Sequence, residues 1–409
     1  MGKKRRSAMT RTLRSFSLPF TRKLGFCVLV FCWTGTRTQR PLLALRRPQS
    51  EAWSRRLRAL GSSGRGPVVM SGPGRAAEAA RIWKVPGIEV LRLSGVTGWG
   101  PGKKNDLVLG VGDDPRSGQH VVYFPGDVQN YHELMTRHSE NLRWQRWSLE
   151  EVAVLLFHRF PRSHIWIIKA SRIHLHKFSC YDNFVQSNLF GVPEHSFDRG
   201  AFKHLYSLLM NGFKQKHTLL HSRTSPSERA CGSFAVEHGE GCSDLSKTSS
   251  SFSTKNDLST PSLSGNYTEV EDLKCTDPSL KFILIGFSKG CVVLNQLLYA
   301  LNEAQKDEEL AAFISNIKGM YWLDGGHAGG SNTWVTDPEI LKRFAKTGIP
   351  VFTHVTPYQV QDSMRAWIGK EHKKFIRLLG EYGAKVTNQL HFENENPSLD
   401  NHFRVLQAF

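Results

Sequence analysis

One stretch constrains this chain more than any other: Lys281 to Tyr299, KFILIGFSKGCVVLNQLLY. Phe282 to Ile285 is an apolar run of the length of a buried strand. Gly286-Phe287-Ser288-Lys289-Gly290 then fits G-x-S-x-G, and Cys291 to Tyr299 continues with helix-compatible apolar residues. Strand, tight turn and helix in immediate succession present the central serine at the tip of the turn, free of the sheet. A serine hydroxyl is a weak nucleophile, and such a turn is where a base can reach it. The flanking glycines permit the sharp turn, and the Lys289 N–H faces the same pocket as a candidate oxyanion donor. The competing reading of these five residues is a plain strand-to-helix turn in which Ser288 caps the helix.

The charge distribution narrows the function. The chain of 409 residues has a formal charge of +18. Its first 75 residues hold 17 Lys or Arg and a single acid, Glu51, which leaves only about +2 for everything after them. The basicity belongs to a leader rather than to a folded surface, so nucleic-acid binding by the body of the protein is disfavoured. Arg, Ser and apolar residues without acids make the composition of a mitochondrial transit peptide. Leu24 to Trp33, LGFCVLVFCW, competes with that reading as the core of a secretory signal, but it is too short to span a bilayer. The arginines beyond it, Arg37 to Arg58, favour import into mitochondria. Seven cysteines are scattered, with no C-x-x-C pair, so neither a disulfide framework nor a zinc ribbon is indicated.

Residues 1–80 thus form a basic leader and linker. Residues 81–118 carry a hairpin pattern, IEVLRLSG and LVLGVG around a Gly-Pro-Gly turn. From Gln119 strands and helices alternate: HVVYFPGD, then SLEEVAVLLFHRF with Ser148 and Glu151 at capping-box spacing, then SHIWIIKA, then GAFKHLYSLLMNGFKQ. Residues 216–278 are dense in Ser and Thr and poor in large apolar residues, the composition of a disordered insertion. Alternation resumes over 279–409 with strands ending near Phe287, Asp324, Pro357 and Phe392. The pieces 81–215 and 279–409 therefore make one α/β domain, with a mostly parallel sheet and helices on both faces. Ligands in such sheets bind beyond the carboxyl ends of the strands, where Ser288, Asp127, Asp324, Asp362 and His402 all fall.

Nucleophile, acid and histidine in that chain order are the arrangement of α/β-hydrolases. Ser288 is the candidate nucleophile. His402, after the last strand, is the candidate base; the alternative is a surface histidine on a terminal helix. His391 lies within that strand and is the poorer choice. The acid is open between Asp362, which follows the penultimate strand and is preferred narrowly, and Asp324 in Asp324-Gly325-Gly326-His327. His327 is the second choice of base. The other oxyanion donor is expected in Pro125-Gly126-Asp127-Val128: Gly126 for close approach, Asp127 or Val128 for the N–H. A carboxylate at Asp127 is unhelpful there unless it is paired or points away. H-E-x-x-H and a phosphate-binding loop are both absent, so no metal and no cofactor are expected.

Long stretches resemble the vertebrate family known by the placeholder chromosome 2 open reading frame 69. They are VVYFPGDVQNYHELMTRH, HLHKFSCYDNFV, LIGFSKGCVVLNQLL, MYWLDGGHAGGSNTWVT and the terminal NHFRV. The resemblance covers about residues 119–215 and 279–409. It implies a mitochondrial protein of α/β-hydrolase-like fold that supports the respiratory chain, and it assigns no catalytic residues. The expected function is a mitochondrial matrix serine esterase or thioesterase acting on a small acyl substrate, without a membrane span. The alternatives are a non-catalytic scaffold that binds a mitochondrial protein partner, and a secreted esterase.

Overall fold

The structure, a computed structural model, describes residues 82–112, 118–197, 200–224 and 274–409. The expected leader, and residues 225–273 of the expected insertion, lie outside the described residues. Nine strands form one sheet: β1 (Ile82–Val85), β2 (Ile88–Thr97), β3 (Lys104–Gly112), β4 (Gln119–Phe124), β5 (His164–Ile168), β10 (Lys281–Phe287), β11 (Ile317–Leu323), β12 (Val351–Val355) and β13 (Val386–Leu390). Two small ribbons, β6 (Arg172–His174) with β7 (Phe178–Cys180) and β8 (Gln186–Ser187) with β9 (Pro193–Glu194), form an excursion after β5.

The sheet order is β1-β2-β3-β5-β4-β10-β11-β12-β13. Neighbours from β5 to β13 are parallel, whereas β1, β2, β3 and β5 pair antiparallel in turn. Counted from β2, with β3 reversed and β4 and β5 exchanged, this is the α/β-hydrolase order. The chain passes from β4 outward to β5 and then back across β4 to β10. The order therefore reverses between β4 and β10, and a crevice opens beyond their carboxyl ends.

The sequence pattern explains the layering. Central parallel strands are buried on both faces, so they read as continuous apolar runs. Phe282 and Leu284 of β10 join one core, while Ile283, Ile285 and Phe287 meet the other. Helices α3 (Leu149–Arg159) and α10 (Leu399–Ala408) cover the second face. The first is covered by α4 (Ala201–Thr224), α5 (Cys291–Ala304), α6 (Glu308–Ser315), α7 (Pro338–Ala345) and α9 (Ala366–Glu381). Ser148 caps α3 by accepting from Glu151 N, and Asp337 caps α7 ahead of Pro338. The hairpin expected over 88–112 is β2 and β3. Arg92 of β2 ties it to the second face through Glu133, in the short helix α1 (His132–Thr136), and through the buried Glu150. Both ends of the expected insertion differ from the sequence reading: α4 continues to Thr224 rather than stopping at Gln215, and Cys275 is already buried in the core, where Asn316 Nδ2 donates to its carbonyl.

Candidate active site

The turn after β10 is an elbow in the strict conformational sense. Ser288 has φ +51°, in the left-handed region. For a residue with a side chain this costs about 1–3 kcal/mol, and it persists only where the surroundings enforce it. A single 3-10 turn, Ser288–Gly290, leads into α5. Neither Gly286 nor Gly290 has a positive φ, so the glycines are not there for the turn. They are there for space. A Cβ at Gly286 would lie 2.8 Å from Cys291 Cα, and one at Gly290 would fall on the Phe124 carbonyl oxygen. The motif glycines thus let α5 start hard against β10 and β4.

Asp324 and His402 meet. Asp324 closes β11 with φ +47° and a fully buried side chain. Its Oδ1 accepts from Thr356 N at 2.7 Å, and its Oδ2 accepts from Thr356 Oγ1 at 2.6 Å. Oδ2 also lies 2.7 Å from His402 Nδ1. An ionised carboxylate can only accept, so the neutral imidazole carries its proton on Nδ1 and leaves the Nε2 lone pair free. His402 sits in the first turn of α10, which Ser398 caps by accepting from Asn401 N. Phe403 beside it stacks on Trp144 and Trp147 at 4.8 and 5.9 Å between centroids. The His402 ring stacks at 4.7 Å on Phe287, the residue before Ser288. Gly326 N donates to Ser288 O at 3.3 Å, which ties the Asp324 turn to the elbow.

Asp362, the narrowly preferred acid, does not meet His402. Its carboxylate binds Arg365 Nε at 2.7 Å and caps the turn at Ser363–Arg365 through Met364 N. The residue at the end of β12 that reaches Asp324 is Thr356, through its N–H and its hydroxyl. His327 is occupied too: Gly329 N donates to its Nδ1, and its Nε2 faces Asn332 O at 3.2 Å. Burial lowers the His327 pKa to about 4. His391 pairs with His354, Nε2 to Nδ1 at 2.9 Å.

The loop after β4 touches the elbow directly. A Cβ at Gly126 would lie 2.8 Å from Ser288 Cβ, so only glycine permits this approach. Gly126 N is not free, since it donates to Gln129 Oε1 at 2.8 Å. Val128, at φ +72°, donates its N–H to Lys177 O at 2.7 Å. Val128 is therefore not the expected donor. Among the hydrogen bonds of the described residues, Asp127 N makes none, and Lys289 N is one of the unpaired N–H groups at the start of a helix. Lys289 directly follows Ser288, and Asp127 directly follows Gly126, where an added Cβ would lie 2.8 Å from Ser288 Cβ. The excursion after β5 clamps the loop further. Tyr181 Oη donates to Pro125 O at 2.6 Å, Ser179 Oγ to Gly126 O at 2.9 Å and Ser179 N to Asp127 Oδ1 at 2.8 Å.

Sequence reasoning missed Thr356, Ser179, Tyr181 and Gln129, which carry no motif; their hydrogen bonds to Asp324 and to the loop after β4 are set by tertiary packing. Two histidine clusters in the sequence, His132-Glu133 and His174-Leu175-His176, are engaged elsewhere. Glu133 binds Arg92, His132 packs on Trp83 and His176 stacks on His138. Among the described residues no group of three or more His, Cys, Asp or Glu is placed to hold a metal ion, and no helix is long and apolar enough to cross a membrane.

Comparison with known proteins gives the chain a family. The family described as C2orf69 matches residues 92–385. The mouse mitochondrial protein C2orf69 homolog is 54% identical over 323 residues, spanning 78% of this chain and 86% of the mouse protein. Human mitochondrial protein C2orf69 is 52% identical over 342 residues, again 78% of this chain and 86% of the relative. Among solved structures, a bacterial brefeldin A esterase, a homologue of human hormone-sensitive lipase, is 12% identical with a TM-score of 0.36, covering 88% of this chain and 79% of that one. The α/β-hydrolase architecture itself stands on the chain's own strand order. The relatives' names support a mitochondrial location, and the chain belongs to the C2orf69 family.

Proposed function

We propose that this protein is a serine hydrolase that cleaves a carboxylic ester or thioester in the mitochondrial matrix. One observation carries the reading: a buried carboxylate, Asp324, 2.7 Å from His402 Nδ1, with the imidazole packed against the strained elbow that presents Ser288. A core histidine needs no such partner, and a serine that only capped a helix would not need φ +51°.

In the proposed reaction Ser288 Oγ attacks the acyl carbonyl as its proton passes to His402 Nε2. Asp324 fixes the Nδ1–H tautomer and stabilises the imidazolium that forms. The N–H groups of Lys289 and Asp127 receive the oxyanion. Collapse expels the alcohol or thiol, which takes the proton from His402 Nε2. Water, deprotonated by His402, then cleaves the acyl-enzyme and regenerates Ser288. No cofactor is required.

Hydrolysis of a p-nitrophenyl ester series from acetyl to palmitoyl tests the activity and ranks acyl length. Turnover by the full chain that disappears in Ser288→Ala is the expected result; equal turnover in the two assigns it elsewhere. The family resemblance implies a role in supporting the respiratory chain, and rescue of respiration in cells lacking the protein tests how that role is served. Failure of Ser288→Ala at normal abundance ties it to catalysis. Full rescue by Ser288→Ala assigns it to binding of a partner protein and overturns the hydrolase reading.

A further inference from the structure

The residue that follows Ser288 is a lysine with a completely buried side chain. An ammonium in that position is costly unless it is paired and hydrogen-bonded. Lys289 Nζ donates to Phe190 O at 2.7 Å and lies 3.5 Å from Asp127 Oδ2. It also sits 5.9 Å over the Phe178 ring. The excursion closes tightly around it. Gly191 has φ +69°, and a Cβ there would fall on the Ser179 carbonyl oxygen and lie 3.3 Å from Nζ. One side chain thus joins three pieces of chain: the elbow that carries it, the loop after β4 and the excursion after β5.

Asp127 explains the need. Its carboxylate is a strut, because Oδ1 accepts the Ser179 N–H that holds the loop to the excursion. Yet Asp127 N is also the loop's uncommitted donor, so a negative charge stands on the residue that is to receive an oxyanion. Like charges a few ångströms apart oppose each other strongly in a poorly solvated crevice. Burial pushes the Asp127 carboxyl above its ordinary value, and the Lys289 ammonium pulls hardest against that rise, helped by Ser179 N–H and His402. Lys289 Nζ, 3.5 Å from Asp127 Oδ2, is the cationic partner this carboxylate has in the crevice.

We propose that Lys289 is a positioning residue for the oxyanion site: its buried ammonium cancels the charge of the Asp127 strut, so the loop stays clamped without repelling the oxyanion. This rests on the serine-hydrolase reading. A bare ammonium aimed at the oxyanion would bind the ground state of any anionic ligand; the paired arrangement leaves N–H dipoles as the net attraction.

The test compares wild type, Lys289→Gln and Lys289→Gln/Asp127→Asn in the full chain. Gln keeps a donor for Phe190 O while removing the charge. Two quantities are read: the rate constant of fluorophosphonate labelling, and the affinity for an alkyl trifluoromethyl ketone, which becomes an oxyanion on addition of Ser288. In Lys289→Gln both fall at least 30-fold, and in the double variant both recover at least tenfold. A purely structural Lys289 gives rates that follow thermal stability and no recovery, and that result overturns the inference. Should Lys289→Gln fail to fold, Asp127→Asn carries the test, since its Oδ1 still accepts Ser179 N while Lys289 is left unopposed. Its affinity for the trifluoromethyl ketone, relative to the matching substrate ester, then rises at least threefold; an unchanged or lower ratio overturns the inference. Absence of labelling in the wild-type chain sinks the hydrolase reading itself, whereas labelling that is equal in wild type and Lys289→Gln sinks this inference alone.

Discussion

Asp324→Asn exchanges one oxygen for an amide nitrogen at a site where three hydrogen bonds converge. Oδ1 can keep Thr356 N. The new NH2 group replaces Oδ2 and faces Thr356 Oγ1 and His402 Nδ1, both of which donate to the carboxylate. The hydroxyl can rotate to accept, but the imidazole must move its proton to Nε2 to accept at Nδ1. Nε2 then has no lone pair for the Ser288 proton, and the compensating charge is gone. In a serine protease the equivalent change costs about 10⁴ in kcat. The shared geometry gives an expected loss of about 10³ to 10⁴ in labelling rate and kcat, or about 4–5.5 kcal/mol of transition-state stabilisation. The loss in folding stability is smaller, about 1–3 kcal/mol, because one buried bond is weakened and none of the volume changes. Asp362→Asn is the control: it removes a half-exposed pairing with Arg365 and is expected to change the labelling rate less than threefold. Fluorophosphonate labelling kinetics, with thermal melting alongside, measure both. A hundredfold loss in Asp362→Asn with Asp324→Asn unaffected would refute the assignment of Asp324 and the tautomer argument with it.

Other outcomes follow from the same geometry. Gly126→Ala places a methyl 2.8 Å from Ser288 Cβ and 3.0 Å from the Phe287 ring, so labelling is expected to fall at least tenfold while the melting temperature drops only a few degrees. Gly290→Ala drives a methyl into the Phe124 carbonyl, and α5 must shift off β4; loss of about 3 kcal/mol or more by denaturant unfolding is expected. Arg92→Met leaves Glu150 buried without its cation, at a cost of about 3–5 kcal/mol by the same measurement. Stability should also depend on pH through buried neutral histidines. Burial lowers His195, His204, His327, His354 and His372 to about 4. Their folded pKa values lie below the unfolded value near 6.5, so the unfolded chain takes up protons first on acidification. Stability is fully present above about pH 7 and is lost between about pH 6.5 and 4, by up to about 1.4 kcal/mol per histidine per pH unit. A flat profile of unfolding free energy from pH 7 to 5 would contradict this.

The elbow was legible because three local signals coincide there: the apolar run Phe282–Ile285, the glycine-spaced turn and the apolar helix start. The position of His402 after the last strand was legible, and the structure sets its imidazole 2.7 Å from Asp324. The acid was not legible. Asp324 and Asp362 both follow strand ends, and the choice depends on which carboxylate the end of β12 supports, a matter of Thr356 and tertiary packing. The role of the motif glycines was also misread from sequence. The turn angle falls on Ser288, while Gly286 and Gly290 answer to neighbouring chain that no local pattern announces. The carboxylate objected to at Asp127 finds a partner in Lys289, 3.5 Å away, a residue type that is almost never fully buried unless paired. The excursion after β5 gave no strand signal because its ribbons are only two or three residues long.

The most direct measurement is to react the full chain with a fluorophosphonate probe and locate the adduct by peptide mass spectrometry, with Ser288→Ala and His402→Ala in parallel. A single adduct on Ser288, absent from Ser288→Ala and at least a hundredfold slower in His402→Ala, is the expected result and establishes an activated nucleophile. Folded protein that does not label, or labels equally in His402→Ala, would contradict the Ser288–His402–Asp324 assignment and leave the fold as a binding scaffold.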